Sequence, residues 1–135
     1  MADPHPATRA RGALLRTGGA TAAALALLTL SACTTDASEA DPESKTFDYD
    51  GDALSIETHE VATHVVAADR DDILVTRWFA KTAGFEKLVW TLDGDTLEID
   101  AGCHGIAVCD ARFDVEVPHG IDVEVDGEPI DLASR

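Results

Sequence analysis

Positive charge is scarce in this chain. Ten Lys and Arg stand against 26 Asp and Glu. Such a surface repels nucleic acid and anionic headgroups, so nucleic acid is not an expected partner. A long apolar run is also missing. The uncharged stretch over residues 18–30 has 13 residues, where a membrane-crossing helix needs about 20. Only three cysteines occur, and none forms the Cys-x-x-Cys pair that a redox site at a helix N-terminus would prefer. Ser55 and Ser134 lack the Gly-x-Ser-x-Gly setting of an activated nucleophile. Carboxylates are so frequent that no pair stands out as an acid and base. No EF-hand loop or nonapeptide calcium repeat is visible. The sequence therefore points away from an enzyme, and it calls for no cofactor.

The N-terminus has the parts of an export signal. Arg9, Arg11 and Arg16 make it positive, and residues 18–30 follow as a short apolar core. Leu30-Ser31-Ala32-Cys33 comes next. This run resembles the lipobox of bacterial lipoproteins, a Leu and two small residues before a modified cysteine. The resemblance implies cleavage between Ala32 and Cys33 and a thioether-linked diacylglyceryl group on Cys33. At least two acyl chains would then hold the protein on the extracytoplasmic face of the cell membrane, where one chain binds only marginally. Arg9 and Arg11 are not adjacent, so the twin-arginine route is unsupported.

Without residues 1–32 the chain keeps 103 residues, enough for one domain with a modest core. Seven basic residues then face 25 acidic ones, a formal charge near −18. That charge reads either as solubility outside the cell or as collection of cations. With Cys33 assigned to lipid, Cys103 and Cys109 remain as an even pair. In an exported protein such a pair predicts a disulfide, closing a seven-residue ring that includes His104 and Ile106. A redox-active pair is the alternative.

Residues 33–44 are polar and acidic, with no apolar side chain larger than Ala after the cysteine. They read as a lipidated, flexible tether. From residue 45 to 135 the pattern is that of a β-rich extracytoplasmic domain. Phe47 and Tyr49 alternate with polar neighbours, as do Leu54 and Ile56. Residues 61–67 form a further strand. Residues 73–79 are apolar on both faces and predict a central strand. Leu88, Trp90 and Leu92 share one face, and Asp93-Gly94 predicts a hairpin turn into Leu97 and Ile99. Ala111, Phe113, Val115 and Val117 alternate with Arg112, Asp114 and Glu116. Pro118-His119-Gly120 breaks the run, and Ile121, Val123 and Val125 resume it. Asp126-Gly127 turns the chain toward Ile130 and Leu132. Eight or nine short strands and no long helix are expected.

Three features of this run resemble a family: the aromatic-ended strand Val75-Thr76-Arg77-Trp78-Phe79, the cysteine pair, and Val115-Glu116-Val117-Pro118 before Gly120. The family is the adhesin-type β-solenoid domain of actinobacterial surface proteins and lipoproteins. The resemblance implies an all-β fold of short strands, wound as a solenoid or an open β-sandwich. It transfers no catalytic residue. Family members run on for more rungs, so a shortened form would close as a small sandwich or leave its last edge to pair with a partner.

Candidate sites are sparse. His59, His64, His104 and His119 lack metal-site spacing, so no metal is assigned. Asp50-Gly51-Asp52, residues 69–72 and Asp93-Gly94-Asp95 could approach calcium, but Asp-Gly pairs also serve as turns. Trp78 and Phe79 end a strand that is apolar on both sides, so one of them is expected at the surface as an interaction site. The expected function is thus a non-enzymatic surface lipoprotein, adhesin-like or contacting an unidentified protein or envelope partner. The alternative is a small-solute or divalent-cation-binding lipoprotein.

Overall fold

Alternation of apolar and charged side chains decides which side of each strand turns inward, because successive residues point to opposite faces. The computed structural model describes residues 35–132, which lie within one compact unit, Cys33–Arg135. The leader, the cleavage position at Ala32, Cys33 and Ser134 fall outside the described residues. The described residues form nine strands and one short 3-10 turn, Ala37–Glu39. The strands are β1 (Pro42–Asp48), β2 (Ala53–Glu57), β3 (Ala62–Ala68), β4 (Asp72–Lys81), β5 (Phe85–Asp93), β6 (Thr96–His104), β7 (Cys109–Pro118), β8 (Asp122–Val125) and β9 (Glu128–Ile130).

The strands assemble into two mixed sheets, and neither closes into a barrel. One has the order β1-β4-β7-β3 and the other β5-β6-β2-β8-β9. Hairpin chemistry accounts for the antiparallel neighbours close in sequence. Asp93 pairs with Thr96 across Gly94 and Asp95, with Gly94 at φ 58. Parallel contacts join strands far apart: β2 lies between β6 and β8, and β3 runs beside β7. The chain crosses between the sheets five times; its two passes from the second sheet to the first, β2 to β3 and β6 to β7, lie side by side, β2 against β6 and β3 against β7.

Both sheets supply one core. Leu54, Ile56, Leu97, Ile99 and Val123 come from the second sheet, and Val65, Ile73, Val75, Phe113, Val115 and Val117 from the first. Phe113 is fully buried and meets Trp90 edge to face, with ring centroids 6.3 Å apart. The expected inward sets on β2, β6 and β7 are the observed ones, and β4 is an interior strand.

The described part of the segment expected to be a flexible tether, residues 35–44, is mostly exposed but is tied to the domain by hydrogen bonds. Pro42, Glu43 and Ser44 belong to β1 and pair with Trp78, Arg77 and Thr76. Ala37 is buried, and its N–H donates to the Asp110 carboxylate at 2.7 Å. Asp36 caps the turn by accepting from the Ser38 N–H at 2.8 Å. Composition predicted a tether because these side chains bury little apolar surface. Backbone pairing to β4 does not need apolar side chains, and a residue as small as Ala fits where a larger one would not.

Candidate interaction surface

Trp78 and Phe79 do not form one patch. As neighbours on β4 they point to opposite faces, and both are half-buried. Trp78 lies on the outer face of its sheet beside Arg112, its register partner on β7. The Arg112 guanidinium stacks 4.1 Å from the indole centroid, a cation–π contact that covers part of the ring. Phe79 lies on the other face, beside a small cleft shared with Glu43, Arg77 and Glu86.

The histidines are dispersed. His59 Nε2 is 3.5 Å from Glu98, His119 Nε2 is 3.3 Å from Asp69, His64 is exposed on β3, and His104 is exposed at the end of β6. Among the described residues, no three His, Cys, Asp or Glu side chains converge as a metal site. Each acidic loop has a structural task. Tyr49 reaches over Asp50-Gly51-Asp52 to donate to the Ala53 carbonyl. Arg70 spans residues 69–72, donating to Asp72 at 2.7 Å and to Glu116 at 2.9 Å. The Asp95 backbone carbonyl accepts the Ser55 N–H at 2.8 Å.

Sequence reasoning missed a clasp between distant corners. Thr58 is buried, and its N–H and Oγ1 donate to the two Asp126 carboxylate oxygens at 2.7 and 2.5 Å. Those bonds, the hydroxyl's first, hold the Asp126 carboxyl below its usual range. Asp126 adopts φ 50, and the corner beside Thr58 has two consecutive left-handed residues, His59 at φ 47 and Glu60 at φ 66. The only sequence signal for this was Asp126-Gly127, which reads as a turn.

Two further features bear on contact with other molecules. The first is β3, an edge strand whose seven residues carry no Asp, Glu, Lys, Arg or Pro. The other edges are guarded in the usual ways. β1 has Pro42 and Lys45, which points inward over the Phe47 ring at 4.6 Å; β5 has Glu86, Lys87 and Asp93; β9 is three residues long and contains Pro129. A groove of about 420 Å³ runs along β3, lined by Val65, Val66, Ala67, Ile121, Ile130 and Leu132 among others.

The second feature is an apolar end. Phe85 is 82% exposed, Ile106 101% and Val108 54%, and these are the exposed large hydrophobic residues among those described. Phe85 pairs with His104 at the end of the β5–β6 ladder. Ile106 and Val108 sit in the loop between Cys103 and Cys109, whose Cα atoms are 5.7 Å apart, at disulfide distance. This loop is clamped to the β4–β5 turn: Thr82 N–H donates to the Val108 carbonyl, and Val108 N–H donates to Thr82 Oγ1, both at 2.9 Å. A side chain at Gly84 would run into Ala107, so the two loops touch directly. No protein family, curated protein or solved structure matches this chain.

Proposed function

We propose that this chain is a non-enzymatic surface lipoprotein, held by acyl chains on Cys33 at the extracytoplasmic face of the cell membrane and working as an adhesin-like or envelope contact module. The observation that carries the reading is the position of Leu30-Ser31-Ala32-Cys33. It follows an export-type apolar core in the sequence and precedes the residues that form the described core. A contact role is supported by the filled interior between the two sheets and by the unguarded edge of β3, which offers backbone groups to another strand.

The finer fold assignment belongs to the same proposal. Parallel stacking of β2 on β6, and of β3 on β7, supports a short two-sheet solenoid of the adhesin type. Mass spectrometry of protein extracted from membranes tests the anchor. The expected product begins at Cys33 with acyl chains attached, and Cys33→Ser releases the protein from the membrane fraction. An acyl-free N-terminus, or a Cys33→Ser protein that still pellets with lipid, refutes the reading.

A further inference from the structure

We infer that the apolar end carrying Phe85, Ile106 and Val108 rests in the interfacial layer of the bilayer and fixes how the domain stands on the membrane. The inference rests on the lipoprotein reading above and adds a second point of membrane contact to it.

The argument begins with reach. Cys33 is four positions before Ala37, so the two Cα atoms can be at most about 14 Å apart. Ala37 is fixed to the domain by its bond to Asp110, the residue after Cys109. The turn that contains Ala37 also packs against β4 and β7. The lipid attachment therefore lies within about 14 Å of a residue hydrogen-bonded to the base of the 103–109 loop. A free tether of 11 residues would have let the acidic body drift from the headgroups. The observed packing removes that slack and brings one end of the domain to the surface.

That end is also the part of the domain suited to an interface. Residues 82–85 and 101–109 contain no Asp, Glu, Lys or Arg in a chain of net charge −16. Some of the charged groups at its border have partners, while Glu60 lies beside the loop. Lys81 pairs with Glu86, the Asp36 carboxylate accepts from Ser38, and that of Asp110 accepts from Ala37. Exposed Phe and Ile gain by entering the boundary between headgroup and acyl chain, where apolar faces sink about 5–10 Å. The cysteine pair and the Thr82–Val108 clamp hold the loop in shape, so insertion costs little ordering entropy. The other end of β4, about 30 Å from Lys81, starts at Asp72 just after Asp69 and Asp71 and would point to the aqueous side.

The test uses the acylated protein returned to phosphatidylcholine vesicles whose acyl chains carry bromine, a quencher of indole emission. Phe85→Trp places a new indole at the start of β5, and Asp71→Trp places one just before β4 at the opposite end; both positions are exposed, and each variant is compared with the parent. Loss of the added emission is expected for Phe85→Trp and not for Asp71→Trp. Absence of quenching at position 85 in protein shown by mass spectrometry to be acylated overturns this inference and leaves the anchor standing. Equal quenching at both positions overturns it as well. Protein that proves unacylated removes the lipoprotein reading itself, and the inference falls with it.

Discussion

The Thr58–Asp126 clasp offers the sharpest test of how this domain is held together. It joins the end of β2 to the β8–β9 turn across 68 residues of chain. Asp126→Ala removes both acceptors. The backbone N–H and the buried hydroxyl of Thr58 each lose a bond worth about 1 kcal/mol, below the usual range for a charged acceptor because this carboxylate faces solvent. Ala at φ 50 adds roughly 1 kcal/mol of backbone strain. The expected loss is therefore about 3 kcal/mol. Asp126→Asn tolerates the same backbone and still accepts one bond, so it should cost about 1 kcal/mol. Thr58→Val keeps the shape and loses the hydroxyl bond, again about 1 kcal/mol. Urea unfolding of the unit Cys33–Arg135 reads these as midpoint shifts at constant slope. The pH dependence has a definite sign. The folded carboxyl titrates below its unfolded value, so the clasp contributes fully above about pH 4 and is lost as pH falls through the folded pKa. A loss below about 0.5 kcal/mol for Asp126→Ala, or additive effects of Thr58→Val and Asp126→Asn, would refute the reasoning.

Other substitutions probe other layers. Phe113→Ala empties a fully buried site against Trp90 and should cost about 3–5 kcal/mol in the same urea assay. Replacing Cys103 and Cys109 by Ala opens a seven-residue ring; the fold should survive with about 2–2.5 kcal/mol less stability, matched by the wild type under reductant. His64→Lys sets a charge on the neutral edge strand beside Asp114 of β7, so stability should change by less than about 0.5 kcal/mol. Any self-association through β3, measured by sedimentation, should fall with it, because a charged edge resists strand pairing.

Several local features were legible from residue order. Leu54 and Ile56, Leu97 and Ile99, and Phe113, Val115 and Val117 each turned inward as alternation required. The hairpin at Asp93-Gly94 formed where its glycine allowed a left-handed turn. Trp78 and Phe79 were less well read. Strand geometry alone already placed them on opposite faces, but the Arg112 that covers one of them sits on β7, 34 residues away.

What alternation determined was which side of each strand is apolar, since that depends only on neighbours two positions apart. It carried no information on which strand would lie beside which. The parallel contacts of β2 with β6 and β8, the clasp from Thr58 to Asp126, and the bond from Ala37 to Asp110 all join residues that only the packed chain brings together. The same packing gathered Phe85, Ile106 and Val108 at one end and drew the expected tether onto the sheet. Backbone hydrogen bonds pair any strands whose edges meet, whatever their side chains, so those choices belonged to the tertiary structure.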